Sequence, residues 1–133
     1  MITLLRRLKR RRSDRGSTSV EMVGYTAVML AALLIGVQAA AWGLGELACR
    51  YAANHALQTT RVQGGTAAAG QADAATVLAD IHGNLVVGPE FAATRSATTA
   101  TVTVKGKALQ VIPFLTLPVG STVSGPVETL TAP

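Results

Sequence analysis

Between Glu21 and Glu46 the chain carries no charged residue, and no other feature restricts its possible folds as severely. Wound as an α-helix at about 1.5 Å per residue, positions 22 to 45 extend roughly 36 Å, enough to cross a bilayer core of about 30 Å. The segment therefore reads as a transmembrane helix over about 22–45. Its upstream edge is unusual. A basic arm ends at Gly16, and one carboxylate, Glu21, stands at the mouth of the apolar run. A carboxylate inside a membrane helix is costly and commonly marks a function, although in the headgroup layer it would only complement the positive end of the helix dipole.

The charge balance has the same origin. The formal net charge is +5, but Arg6, Arg7, Lys9, Arg10, Arg11, Arg12 and Arg15 stand against Asp14 before Gly16, while the remainder holds five basic and six acidic residues. A Lys/Arg cluster can neutralise phosphates, yet this one has no aromatic residue interleaved for base stacking and directly precedes an apolar span. By the positive-inside rule it holds its end in the cytoplasm, so the expected topology is N-terminus in and C-terminal domain out, with membrane lipid as a partner and no nucleic acid.

The order of basic leader, Gly16, four residues, Glu21 and apolar helix resembles the class III signal of type IV pilins. That resemblance implies that prepilin peptidase cuts after Gly16, that Ser17 becomes the new N-terminus, and that Glu21 becomes the fifth mature residue and pairs with a freed α-amino group. An ordinary secretory signal also has a basic and an apolar region, and Ala39-Ala40-Ala41 imitates its cleavage site. Its apolar region, however, is about 7 to 15 residues long, shorter than this run. An uncleaved single-pass anchor is the other alternative.

Ala32, Gly36, Ala40 and Gly43 recur at steps of four, four and three, placing small residues on one helix face, where membrane helices can approach closely. Downstream, Glu46 to Val62 is free of proline, rich in helix formers, and has Leu47 and Tyr51 at i, i+4, so the helix is expected to continue as an amphipathic stretch to about Val62 and stop at Gly64-Gly65. The class III site, the hydrophobic helix, the runs Arg50-Tyr51-Ala52-Ala53 and Ala56-Leu57-Gln58, and a small Thr/Val-rich tail are together similar to the TadE-like family of tight-adherence (Flp) pilus assembly proteins. This resemblance implies a minor pilin or pseudopilin, an enzyme's substrate and not an enzyme, that meets prepilin peptidase, other pilin subunits and the pilus assembly platform. It also implies hetero- or homo-oligomers formed through the N-terminal helix. Met22 stands where many such proteins carry an aromatic residue.

The tail reads as a small α+β unit. Asp73 is expected to N-cap a helix with apolar positions Val77, Leu78 and Ile81 and a stop at Gly83. A short strand is expected at Leu85-Val86-Val87. From Thr99 to Lys105 the chain alternates, with Ala100, Val102 and Val104 on one face, and Gly106 is expected to turn it into a hairpin with Ala108 to Ile112. Phe114 to Leu117 and Val119 to Val123 offer edge strands at most, because of Pro118 and Gly120. With two phenylalanines the core is modest, so the tail is expected to lean on the amphipathic half of the helix.

No motif in the chain carries chemistry. His55 and His82 are the two histidines and lack the spacing that would complete a metal site; Gln63-Gly64-Gly65-Thr66 lacks the Lys-Ser/Thr of a phosphate loop. Cys49 is the single cysteine, so no intrachain disulfide forms; it is either a small apolar residue near the membrane surface or half of an intermolecular bridge. The expected organisation is a basic leader over 1–16, a long helix over 17–63 that is transmembrane then amphipathic, and an exported α+β domain over 64–133 with a short antiparallel β-sheet. No cofactor or metal is expected.

Overall fold

The computed structural model describes residues 14–81 and 84–129, with side chains from Thr18 onward. The leader before Asp14, His82, and the stop expected at Gly83 lie outside the described residues. The elements are α1 (Asp14–Arg61), α2 (Ala67–Asp80), β1 (Val86–Arg95), β2 (Thr99–Ala108) and β3 (Pro118–Pro126). The fold is α+β, as its sequence implies.

The chain divides into two compact units, residues 1–36 and 37–133. In the first, the described residues form helix α1, and every described side chain from Thr18 to Gly36 is exposed. The second unit holds α1 from Val37 onward, α2 and an antiparallel sheet in the order β1-β2-β3. The central strand is the one with the cleanest alternation. Ala100, Val102 and Val104 are wholly buried, while Thr101, Thr103 and Lys105 lie on the other face. Burying each valine contributes about 1.5 kcal/mol or more.

The tail does lean on the helix, but through a different face from the one that Leu47 and Tyr51 suggest. Those two side chains are exposed, and the packed stripe is Ala48, Cys49, Ala52, Ala53, Ala56 and Leu57. Hydropathy weights the larger side chains, whereas a helix lying close to a sheet and a second helix needs small ones. Gly70 on α2 shows how tight this packing is, because a β-carbon there would fall on the Thr60 hydroxyl.

Helix α1 ends at Arg61, and its last carbonyls are taken up by the tail. Arg95 donates from Nη1 to the oxygens of Thr60 and Val62, and the Glu128 N–H donates to the Arg61 oxygen at 2.9 Å. Gly64 then takes φ of 76°, the left-handed conformation that suits glycine, and the Gly65 N–H closes on the Val62 oxygen at 2.9 Å. The glycine pair thus stops the helix as its sequence implies.

Three local expectations change. Helix α2 is capped well before Asp73, with Thr66 as N-cap accepting from the Ala69 N–H at 3.1 Å, because the alanine-rich run from Ala67 is itself a good helix former. Asp73 instead faces α1 from mid-helix. Strand β1 is much longer than Leu85 to Val87, reaching Arg95 past a bulge between Val87 and Glu90 where Gly88 takes φ of 59°. And Gly106 does not turn the chain: β2 continues through it to Ala108 and pairs with β1 on one side and β3 on the other. Glycine fits there because a β-carbon would collide with Val86 of β1. The hairpin partner expected over Ala108 to Ile112 is not a strand, since the residues after Ala108 form a loop and the edge beside β2 is taken by β3.

Cys49 is fully buried in this core, where it packs as a small apolar residue and is not presented for an intermolecular bridge. Burial, with Glu46's charge as a smaller contribution, pushes its thiol up to about 11. Since the thiolate is the reactive form, Cys49 is expected to resist maleimide at neutral pH in the folded protein and to react within minutes once denatured. Mass spectrometry of the labelled chain before and after denaturation checks this; rapid labelling of folded protein would contradict the packing.

Candidate functional site

Gly16, Ser17 and Glu21 all lie on α1. The Glu21 side chain is exposed and its Oε1 accepts from the Tyr25 hydroxyl at 3.3 Å, one turn on. Thr26 donates to the Met22 carbonyl at 2.9 Å, the usual way for a hydroxyl to be satisfied inside an apolar helix.

The small-residue stripe takes no part in packing within the chain. Ala32, Gly36, Ala40 and Gly43 are exposed, and a β-carbon on Gly36 or Gly43 would meet nothing within 4 Å. Their neighbours on the helix do the packing within the second unit: Gln38, Ala41 and Gly45 are buried, and a β-carbon on Gly45 would come within 3.2 Å of both the Leu85 oxygen and a Val119 methyl. Gly16, Ser17 and Glu21 thus follow one another along α1, and the side chains of the stripe are exposed.

Sequence reasoning passed over Gln38 and Trp42. Gln38 is almost fully buried; its Nε2 donates to the Leu109 oxygen at 3.2 Å and its Oε1 accepts from the N–H groups of Val111 and Ile112 at 2.8 and 3.0 Å. Trp42 donates from its indole N–H to the Pro118 oxygen at 3.1 Å. Both side chains hold the loop between β2 and β3. The available signal was their chemistry: a lone amide in an apolar helix needs a partner. With these bonds, all four polar side chains within 22–45, namely Tyr25, Thr26, Gln38 and Trp42, are hydrogen-bonded inside the chain.

One further cluster joins α1 to α2. Asp73 Oδ2 lies 2.8 Å from His55 Nδ1 and accepts from the Thr59 hydroxyl at 2.7 Å. Burial raises the Asp73 carboxyl, but the bonds from Thr59 and His55 and the histidine's charge outweigh it, and the net value lies below the ordinary one. The carboxylate thus stabilises the fold above the ordinary aspartate range, a contribution that fades as pH falls through the lowered value. The Thr59 hydroxyl is turned to Asp73 and not to His55, so the cluster is arranged as a clamp between helices. Among the described residues, no three His, Cys, Asp or Glu side chains converge as a metal site would require.

No family model, curated protein or solved structure matches the chain.

Proposed function

We propose that this chain is a single-pass membrane subunit of the type IV pilin class, a TadE-like minor pilin or pseudopilin, cleaved after Gly16 by prepilin peptidase. It works as an assembly component and performs no catalysis. The observation that carries this reading is a helix whose described side chains from Thr18 to Gly36 all face outward, dominated by large apolar groups, with a single carboxylate at its upstream edge five positions after Gly16. Such a surface is unfavourable in water and suited to lipid or to neighbouring helices. The internally satisfied Tyr25 and Thr26 favour the same environment, where an unpaired polar group costs several kcal/mol.

The outward stripe Ala32, Gly36, Ala40 and Gly43 supports contacts with other pilin subunits in the same layer. Gln38 counts against a small secreted protein released near Ala41, because that cut would strip Val111 and Ile112 of their common acceptor. The basic residues before Gly16 favour a cytoplasmic N-terminus and an exported tail.

The mature N-terminus tests the reading. Mass spectrometry of membrane and sheared fractions is expected to find Ser17, whereas Met1 would indicate an uncleaved anchor and a residue near Ala41 a secreted protein. Glycine leaves the backbone at the scissile bond unobstructed, so Gly16→Val is expected to leave nearly all of the protein as full-length precursor in the membrane. Normal processing of that variant would overturn the assignment.

A further inference from the structure

The loop joining β2 to β3, residues 109–117, has no charged residue and carries Leu109, Val111, Ile112, Phe114, Leu115 and Leu117. It is long for a hairpin connection, whose usual length is about 2 to 5 residues, and its composition is the reverse of a solvated loop. At its tip Phe114 is 100% exposed with φ of 70°, a left-handed conformation that a bulky aromatic rarely adopts. Leu109 and Leu115 are also exposed, at 39% and 40%. The fold holds this tip outward at the expense of local strain, where a turn residue such as glycine or asparagine would be unstrained.

What the loop meets follows from where it is fastened. Its backbone is bonded to Gln38, and Pro118 at its end to Trp42. Both positions fall inside the uncharged run between Glu21 and Glu46. A bilayer core takes up about 20 helical residues, so a span that begins just after Glu21 leaves the hydrocarbon near residue 41. Gln38 then lies about a helical turn inside that boundary and Trp42 at it, the level at which membrane proteins concentrate tryptophan. A loop hydrogen-bonded to those positions lies at the same level.

Pro113 has no N–H, and four of the loop's eight N–H groups, those of Leu109, Val111, Ile112 and Leu115, donate to protein oxygens of Leu85, Gln38, Gln38 and Ile112, which leaves the others to the polar headgroup layer. From this we infer that the 109–117 loop is a second membrane contact, which buries Phe114 and Leu115 in the outer leaflet of the lipid surface while Gln38 and Trp42 hold it at the helix exit. It rests on the membrane reading of residues 22–45. The sheet's outward face, with Thr101, Thr103, Thr122 and Ser124, is polar and stays in water.

The test uses the full chain in phosphatidylcholine vesicles with a nitroxide label placed through Phe114→Cys, Leu115→Cys, Met29→Cys or Ser124→Cys; Cys49 is buried and is expected to stay unlabelled in the folded protein. Relaxation by oxygen, which concentrates in lipid, is compared with relaxation by a water-soluble nickel chelate. Labels at 29, 114 and 115 are expected to favour oxygen several-fold over the label at 124. Lipid exposure at 29 with water exposure at both 114 and 115 would overturn the loop contact and leave the span intact. Shielding of 114 and 115 from both relaxants would also overturn it, since a protein and not lipid would then cover the loop. A label at 29 exposed to water would overturn the membrane reading, and the loop contact with it.

Discussion

Glu21→Gln is expected to be processed and inserted normally and then to stall, with cleaved protein accumulating in the membrane and the sheared surface fraction falling roughly tenfold or more, the consequence of losing one favourable charge pair at the edge of a low-dielectric phase. On the pilin-class reading, cleavage after Gly16 removes Asp14 with the leader and creates an ammonium at Ser17, and Glu21 is then the nearest acid in sequence. Each charge alone is costly near the hydrocarbon, and pairing offsets part of that cost. The amine exists only after cleavage, so removal of the leader should not depend on the carboxylate.

The local structure makes this substitution a clean one. Glu21 touches its surroundings through the bond from the Tyr25 hydroxyl at 3.3 Å, and the amide oxygen of glutamine can accept the same bond. Helix α1 should therefore be unchanged and only the charge removed. Glu21→Asp retains the charge on a shorter arm and should fall between the two. Immunoblots that quantify cleaved monomer in membranes against sheared protein separate the outcomes. If Glu21→Gln matches wild type in both fractions, the residue is a helix-end charge in the headgroup layer and has no part in assembly.

Gly70→Ala is expected to destabilise the second unit by about 2 kcal/mol, even though alanine is favoured over glycine in a helix interior by about 1 kcal/mol. The added β-carbon would fall on the Thr60 hydroxyl, with the Thr60 β-carbon at 3.2 Å and the Ala56 oxygen at 3.3 Å closing the other directions. The hydroxyl has little freedom to retreat, because it donates to the Ala56 oxygen at 2.7 Å and Thr60 is fully buried. For a domain of this size the change corresponds to a midpoint lowered by roughly 10 °C. Circular dichroism of the full chain in detergent measures it. Combining Gly70→Ala with Thr60→Ala removes the colliding oxygen and should recover more than half of the loss relative to Thr60→Ala alone. An unchanged midpoint in Gly70→Ala would mean that α2 and α1 do not approach as closely as described.

The parts legible in the sequence are those written in a local pattern. The absence of charge from 22 to 45 specifies a long apolar helix, the Gly64-Gly65 pair specifies its end, and the alternation of Ala100, Val102 and Val104 specifies which face of β2 is buried, because each depends on residues adjacent along the chain. The tertiary structure decided what depends on distant residues. The helix face that packs is the alanine stripe and not Leu47 and Tyr51, since close approach selects small volumes that hydropathy does not register. Gly106 stays within a strand because Val86, on the neighbouring strand, occupies the space a side chain would need. Asp73 caps nothing, because an alanine run starts its helix early and His55 and Thr59 of the other helix supply its partners. Gln38 and Trp42 look like interruptions of an apolar run until the loop between β2 and β3, far along the chain, meets them, and only the folded chain brings that loop and those side chains together.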